Sequence, residues 1–193
     1  GYLQAVQEIC RAHGVLFVVD EVICGYGRVG DWFASSRVGL EPDAMTFAKG
    51  ITSGYVPLGG VVVGRRLQEP FWNAPEAGVW RHGYTYSGHA SAAAAAHANL
   101  DIIEREGLLA RGLALETEIP AALAPLLAHE LVSEIRGGFG AVAAVQIDPA
   151  LLAERGHGNP RPRVDGIKVV IGGEQDPFVL GLPPINHAAA NPD

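Results

Sequence analysis

The chain has 193 residues, with 14 Lys and Arg against 21 Asp and Glu, so its formal net charge is −7 with histidine neutral, and 48% of its residues are hydrophobic. This acidic balance, without a basic run longer than Arg65-Arg66, excludes a protein that binds nucleic acid through clustered basic residues. The longest apolar runs fall far short of the roughly 20 residues of a membrane-spanning helix. Two cysteines and no recognisable secretory signal lead us to expect a cytoplasmic protein without a disulfide framework.

The first 60 residues alternate between helical and strand patterns. Residues 2–12 predict a helix, because their apolar side chains form one stripe and Gly14 supplies a stop. Residues 15–19 are apolar without alternation, which predicts a parallel strand covered on both faces. Two further short strands are predicted at residues 44–48 and 59–64, so the pattern is that of an α/β fold. The following segment, 65–89, is predicted to be irregular.

The second half of the chain changes character. A helix is predicted from Ala90 to the stop at Gly107, and another from Leu108 towards Glu118, before Pro120. The change in composition near residue 108 predicts two domains, residues 1–107 and 108–193. A short helix and three strands are predicted within the second domain, at residues 121–128, 138–147, 166–172 and 177–182.

An acidic pair follows the first predicted strand. Asp20 would lie at the sheet edge where open α/β folds bind ligands, so it is a candidate cofactor contact, and the alternative is that it caps the next turn. Asp20-Glu21 also matches the magnesium-binding strand of a nucleotide hydrolase. That reading needs a Gly-x-x-x-x-Gly-Lys-Ser/Thr loop, which neither Lys49 nor Lys168 supplies.

Lys49 is one of only two lysines, against 12 arginines, and it follows the second predicted strand. Its apolar neighbours Phe47 and Ala48 favour the neutral amine, the nucleophilic form that a Schiff-base lysine needs. The alternative is a lysine that extends from the strand end to water. If Asp20 and Lys49 face one crevice, a carboxylate and an amine together suit a pyridine aldehyde cofactor.

Hydroxyl groups and glycines precede the Ala90 helix. Residues 84–88 therefore predict a phosphate site at a helix N-terminus, and the alternative is simple N-capping by Ser87 or Ser91. Three histidines lie nearby, His82, His89 and His97. Their spacings of seven and eight residues match no familiar metal-ligand pattern, so no metal site is predicted.

Three motifs, DEVICGYGRVG (20–30), PDAMTFAKGITSGYVPLGGVVVG (42–64) and HGYTYSGH (82–89), occur in this order. They closely resemble the pyridoxal-phosphate-dependent class III aminotransferases, nearest to the omega-amino acid or amine:pyruvate branch. The resemblance covers almost the whole chain, and it implies the C-terminal part of the fold-type I large domain, an α/β unit with a mostly parallel sheet, followed by a small α+β C-terminal domain. Because the family's chains begin well before the segment that this sequence starts with, the sequence resembles the C-terminal half only.

The resemblance also implies roles for individual residues. Lys49 is similar to the lysine that forms the internal aldimine with pyridoxal 5'-phosphate, and Asp20 to the carboxylate that pairs with the ring nitrogen. Val22 resembles the apolar residue that packs on the ring, and Thr85 the threonine that reaches the cofactor phosphate of the neighbouring subunit. The implied protein is a homodimer that moves an amino group from an omega-amino acid or amine to a keto acid such as pyruvate.

Some positions depart from the family pattern. Ile23 stands where many members carry Gln, which favours the omega branch. The arginine that commonly binds the substrate carboxylate near residues 171–172 is absent, so Arg161 or Arg163 would have to replace it. Two alternatives stay open: a catalytically incompetent remnant that acts only as a folded or dimerising module, and another class III enzyme such as an aminomutase or decarboxylase.

Overall fold

The computed structural model describes residues 1–73 and 82–154. The chain divides into two compact units, Gly1–Gly112 and Leu113–Asp193. Within the described ranges, no helix is both long enough and apolar enough to cross a lipid bilayer.

The first unit contains a three-stranded sheet in the order β1-β2-β3, with β1 at Val18–Asp20, β2 at Ala44–Phe47 and β3 at Gly60–Val63. The strands β1 and β2 are parallel, and β3 pairs antiparallel with β2. All three strands were predicted, although β1 begins three residues later than expected. Because β1 and β2 are parallel, the residues that follow them leave the sheet at the same edge.

The faces of this sheet are partly open. Val18 in β1 is 56% exposed, and the three valines of β3 are also exposed. The prediction that the first strand is covered on both faces is therefore wrong for the described residues. An apolar run shows that a strand is suited to burial, but it carries no information about which segment provides the cover.

Four α-helices belong wholly to the first unit. The predicted helices at both ends of this unit are confirmed, and Gly14 and Gly107 follow them with φ of +68° and +65°, a left-handed conformation that glycine adopts without strain. The helix at residues 65–72 was missed, because a short charged segment that contains Pro70 carries little helical pattern. The bounds are α1 Tyr2–Ala12, α2 Ala34–Arg37, α3 Arg65–Trp72 and α4 Ala90–Arg105.

The next helix, α5, runs over Leu108–Leu123 and includes Pro120. The prediction that the helix ends before this proline is wrong. Proline removes one backbone hydrogen bond, but Ile119 and Leu123 on either side of it are both buried in the core of the second unit. Burial of each such side chain contributes about 1.5–3 kcal/mol, which offsets the loss. A 3₁₀ helix, Ala124–Ala128, follows directly.

The second unit combines α5 with an antiparallel pair, β4 at Val132–Arg136 and β5 at Ala144–Ile147, and a short helix, α6, at Pro149–Glu154. The predicted strand at residues 138–147 is confirmed only over β5, and β4 was not predicted. The predicted strands at 166–172 and 177–182, together with Arg161 and Arg163, lie outside the described residues. The core consists of Leu115, Ile119, Leu123, Ala141, Ala143 and Val145.

Candidate functional site

Asp20 ends β1 and lies opposite Thr46 of β2. Its Oδ1 accepts two hydrogen bonds, from the Val22 backbone N–H at 2.9 Å and from the Thr46 hydroxyl at 3.1 Å. The bond to Val22 is the turn cap considered from the sequence. Both bonds fall on one oxygen of an exposed residue, so Oδ2 can still accept a hydrogen bond from a ligand. Capping and ligand binding are therefore compatible at this carboxylate.

Glu21, the second member of the acidic pair, has the opposite environment, with only 2% of its surface exposed. Its carboxylate accepts the backbone N–H groups of Ala34 at 3.0 Å and Ser35 at 2.6 Å. These are the first two residues of α2, whose N-terminal N–H groups favour a negative charge. Glu21 therefore anchors the loop between β1 and α2, and the two acids do not act as a magnesium-binding pair.

Lys49 begins a 3₁₀ turn, Lys49–Ile51, shortly after β2. It is half-buried, and its φ of +46° lies in the left-handed region, which costs a residue other than glycine about 1–2 kcal/mol. A Cβ at Gly50 would lie 3.1 Å from Tyr26 Cβ, so the turn packs closely against the loop that follows Asp20. The structure thus places Lys49 at the sheet edge where Asp20 lies.

Asn99 is a candidate site residue that the sequence pattern did not single out. It lies on α4, is buried, and its Nδ2 donates to the backbone carbonyls of Gly50 at 2.8 Å and Ile51 at 3.1 Å. Its Oδ1 accepts from the Ser53 hydroxyl. The sequence did contain a signal, because Asn99 shares the buried face of an alanine-rich helix with Ala92, Ala96 and Ile103, where a lone amide needs a partner.

Tyr26 forms one wall beside the Lys49 turn. Its ring makes edge-to-face contacts with Phe33, at a centroid distance of 5.3 Å, and with Phe47, at 6.1 Å. Burial raises the pKa of the Tyr26 phenol to about 12. The ring therefore remains neutral at physiological pH and presents a fixed aromatic surface to the turn.

Thr85 is exposed and lies in the segment before α4. Within this segment the Tyr84 N–H donates to the Ser87 hydroxyl at 2.8 Å. The N-cap of α4 is His89, whose Nδ1 accepts from the Ala92 N–H at 3.4 Å, so the suggested capping by Ser87 or Ser91 is wrong. Thr85 takes no part in the hydrogen bonds described above for Asp20 or for the Lys49 turn.

Metal binding has no support in the described ranges. No group of three or more His, Cys, Asp or Glu side chains there is arranged to hold a metal ion. His89 uses its Nδ1 to cap α4, and His82 contacts the ring of Tyr84 at a centroid distance of 5.5 Å.

Comparison with known proteins identifies the family. A model of the class III aminotransferases matches residues 1–166, which is most of the chain. The chain therefore belongs to the class III aminotransferase family, as the three sequence motifs predicted. The strands that carry Asp20 and lead to Lys49 lie inside the matched region.

Individual relatives show how much of such a protein the chain represents. It is 41% identical to the diaminobutyrate–2-oxoglutarate transaminase of Halomonas elongata, over 95% of this chain and 39% of that protein. It is 42% identical to the putrescine–pyruvate aminotransferase of Pseudomonas aeruginosa, over 76% of this chain and 31% of that protein. A solved omega transaminase from Pseudomonas jessenii, in complex with PMP, superposes with a TM-score of 0.70 at 36% identity, covering 77% of this chain and 33% of that one. The chain thus spans less than two fifths of these relatives.

Proposed function

We propose that this chain carries the lysine-bearing part of a pyridoxal-phosphate-dependent transaminase site, which moves an amino group from an omega-amino acid or another amine to a keto acid such as pyruvate. The observation that carries the proposal is the common sheet edge of Asp20, which ends β1, and Lys49, which follows the adjacent parallel strand β2. The names of the relatives support an amine donor and a keto acid acceptor, since one relative acts on putrescine and pyruvate.

The chemistry of the chain's groups fits the cofactor. Pyridoxal phosphate has an aldehyde, a ring nitrogen and a phosphate, and when bound it supplies an electron sink for the charge that develops as a substrate C–H bond breaks. Lys49 offers an amine to the aldehyde, and Asp20 offers a carboxylate to the ring nitrogen. Thr85 offers a hydroxyl to a phosphate.

Asp20 has the task of keeping the ring nitrogen protonated. Its Oδ2 can accept the nitrogen's N–H, while the bonds from Val22 and Thr46 fix Oδ1 and so hold the carboxylate plane. A negative charge beside a protonated ring nitrogen stabilises the protonated form. Asp20 therefore sets the electron-withdrawing power of the ring.

Lys49 has two tasks. If pyridoxal phosphate is bound, the Nζ would hold the cofactor through its aldehyde group, and the same amine, once free, would move a proton at the substrate carbon. Both tasks need an amine at a fixed position, which the packing of Gly50 against Tyr26 supports.

Val22 and Thr85 complete the proposed binding residues. The half-buried Val22 packs against a face of the ring, next to the Asp20 carboxylate that its own N–H contacts. Thr85 takes no part in the contacts around Lys49, and its hydroxyl binds the cofactor phosphate of a neighbouring subunit. This assignment makes the protein a homodimer.

Borohydride trapping tests the proposal. Condensation of the Lys49 amine with the cofactor aldehyde forms a carbon–nitrogen double bond and releases one water, and borohydride then adds hydride to give a stable secondary amine. We expect peptide mass mapping of the 193-residue chain, treated with pyridoxal phosphate and borohydride, to place the cofactor on Lys49 in preference to Lys168. Lys49→Ala should abolish the preferred label.

Lys168→Ala is the matched control, because it removes the only other lysine of the sequence. The Lys49 label should survive in this variant. Equal labelling of the two lysines in the parental chain, or an unchanged total label in Lys49→Ala, would contradict the proposal.

A further inference from the structure

We propose that Asn99 is the positioning residue for Lys49, and that its side-chain amide fixes the backbone from which the lysine reaches the cofactor. The inference rests on the proposed function, since it assigns Asn99 a role towards the cofactor-binding lysine. Asn99 itself acts through the turn and is not placed against substrate or cofactor.

Asn99 forms hydrogen bonds with residues that follow Lys49 in the chain. Both hydrogens of its Nδ2 are used, one on the Gly50 carbonyl at 2.8 Å and one on the Ile51 carbonyl at 3.1 Å. The Ser53 hydroxyl donates to Oδ1, which fixes which end of the amide faces the carbonyls. One buried side chain from α4 thus binds two carbonyls of the lysine turn and the hydroxyl of a residue just after it.

The backbone of this turn needs such support. Lys49 begins this turn and Ser53 lies two residues after it, and they have φ of +46° and +52°, a region that non-glycine residues adopt at a cost. Strained backbone of this kind persists only where its surroundings determine it. Asn99 binds the carbonyls between the two strained residues, and Tyr26 packs on the other side of Gly50.

The pattern of donors separates positioning from space filling. Asparagine donates to two carbonyls, that of Gly50, which also accepts the Ser53 backbone N–H at 3.3 Å, and that of Ile51. A residue of the same shape without donors would leave both of these side-chain bonds unmade. Asn99→Asp keeps the size of the side chain and replaces both donors by an acceptor. If Asn99 acts through donation, Asn99→Asp should lose the preference for Lys49 as Asn99→Ala does, and an Asn99→Asp chain that behaves like the parental chain contradicts the role.

The test measures pyridoxal phosphate trapped on Lys49 relative to Lys168 in the same molecules, after mild borohydride treatment. We expect the ratio to fall by about tenfold in Asn99→Ala and Asn99→Asp, as the loss of two hydrogen bonds predicts. The visible absorption band of the bound cofactor, recorded before reduction, should shift in the same two variants. Ile103→Val is the matched control, because it removes buried apolar volume from the same face of α4 without touching the turn.

The outcomes separate this inference from the proposed function. A parental chain that shows no preference for Lys49 overturns both. A parental chain that prefers Lys49, together with an unchanged ratio and band in Asn99→Asp, overturns the positioning role alone. If the Asn99 variants do not fold, as judged by circular dichroism, Ser53→Ala decides: it frees the amide to rotate and should lower the ratio in the same direction, and an unchanged ratio overturns the role.

Discussion

Tyr26 shows how a single residue beside the lysine turn makes stability depend on pH. Its pKa is about 12 in the folded protein, against about 10 for an exposed tyrosine. Below pH 10 the phenol is protonated in both states, and between about 10 and 12 the unfolded chain loses its proton first. We therefore expect the free energy of unfolding to fall as pH rises through this window.

Denaturant unfolding at several pH values checks this expectation. Tyr26→Phe should remove part of the decrease above pH 10, because phenylalanine keeps the ring contacts with Phe33 and Phe47 and has no proton to lose. Tyr55→Phe is the control, since it removes the phenol of a largely exposed tyrosine. An identical pH dependence for Tyr26→Phe and the parental chain would refute the role of burial.

At the scale of residues, the sequence predicted that Asp20 and Lys49 lie at one sheet edge, because each lies at or just after the end of an apolar run, and strand ends can be read from local pattern. The different environments of Asp20 and Glu21 could not be read in this way. The two residues are adjacent and chemically similar, but one is exposed and the other binds the N-terminus of α2. Asn99 was missed for the same reason, since its partners lie 48 and 49 residues away along the chain.

At the scale of elements, the start of α5, which belongs to the first unit, lies very close to the loop after β1. A Cβ at Gly112 would lie 2.4 Å from the Gly27 carbonyl oxygen and 3.1 Å from the Gly30 Cα. These are backbone atoms, which move less easily than the end of a flexible side chain. Only glycine fits at this position of the helix.

We expect Gly112→Ala to lower the free energy of unfolding. Alanine in a helix gains about 1 kcal/mol over glycine, but overpacking against backbone costs about 1–3 kcal/mol or more. At 2.4 Å we expect the clash to prevail. Thermal or urea unfolding measures the effect, and Gly83→Ala, where the nearest atom is 3.8 Å away, serves as the control. Gly112→Ala with stability equal to or above that of the parental chain would show that α5 can shift without cost.

The elements differ in how well the sequence predicted them. The helices α1 and α4 have clear stop signals and were placed correctly, with Gly14 and Gly107 in the left-handed conformation after them. Pro120 was taken as a helix end because its local effect is unfavourable. The burial of Ile119 and Leu123 outweighs that effect, and burial depends on tertiary packing that local sequence does not contain.

At the scale of the whole molecule, the proposed homodimer requires a surface near Thr85. Tyr84 and Tyr86 on either side of it are 78% and 82% exposed, and two exposed aromatic residues on one short segment form an apolar patch of the kind that a partner chain covers. We expect sedimentation velocity at micromolar concentration to show a species larger than a monomer. The double substitution Tyr84→Ser, Tyr86→Ser should shift it towards the monomer.

Tyr2→Ser is the matched control, since Tyr2 is equally exposed but lies on α1. It should leave the sedimentation of the chain unchanged. A parental chain that sediments only as a monomer, or a tyrosine pair whose loss has no more effect than Tyr2→Ser, would count against the assignment of Thr85 to a neighbouring subunit.

A crystal structure of the borohydride-reduced complex with pyridoxal phosphate would show the bond to the lysine and the contact with the carboxylate together. We expect density that is continuous from the Lys49 Nζ to the former aldehyde carbon, with the ring nitrogen within hydrogen-bonding distance of the Asp20 Oδ2. A cofactor attached to Lys168, or one on Lys49 whose ring nitrogen lies away from Asp20, would contradict this expectation.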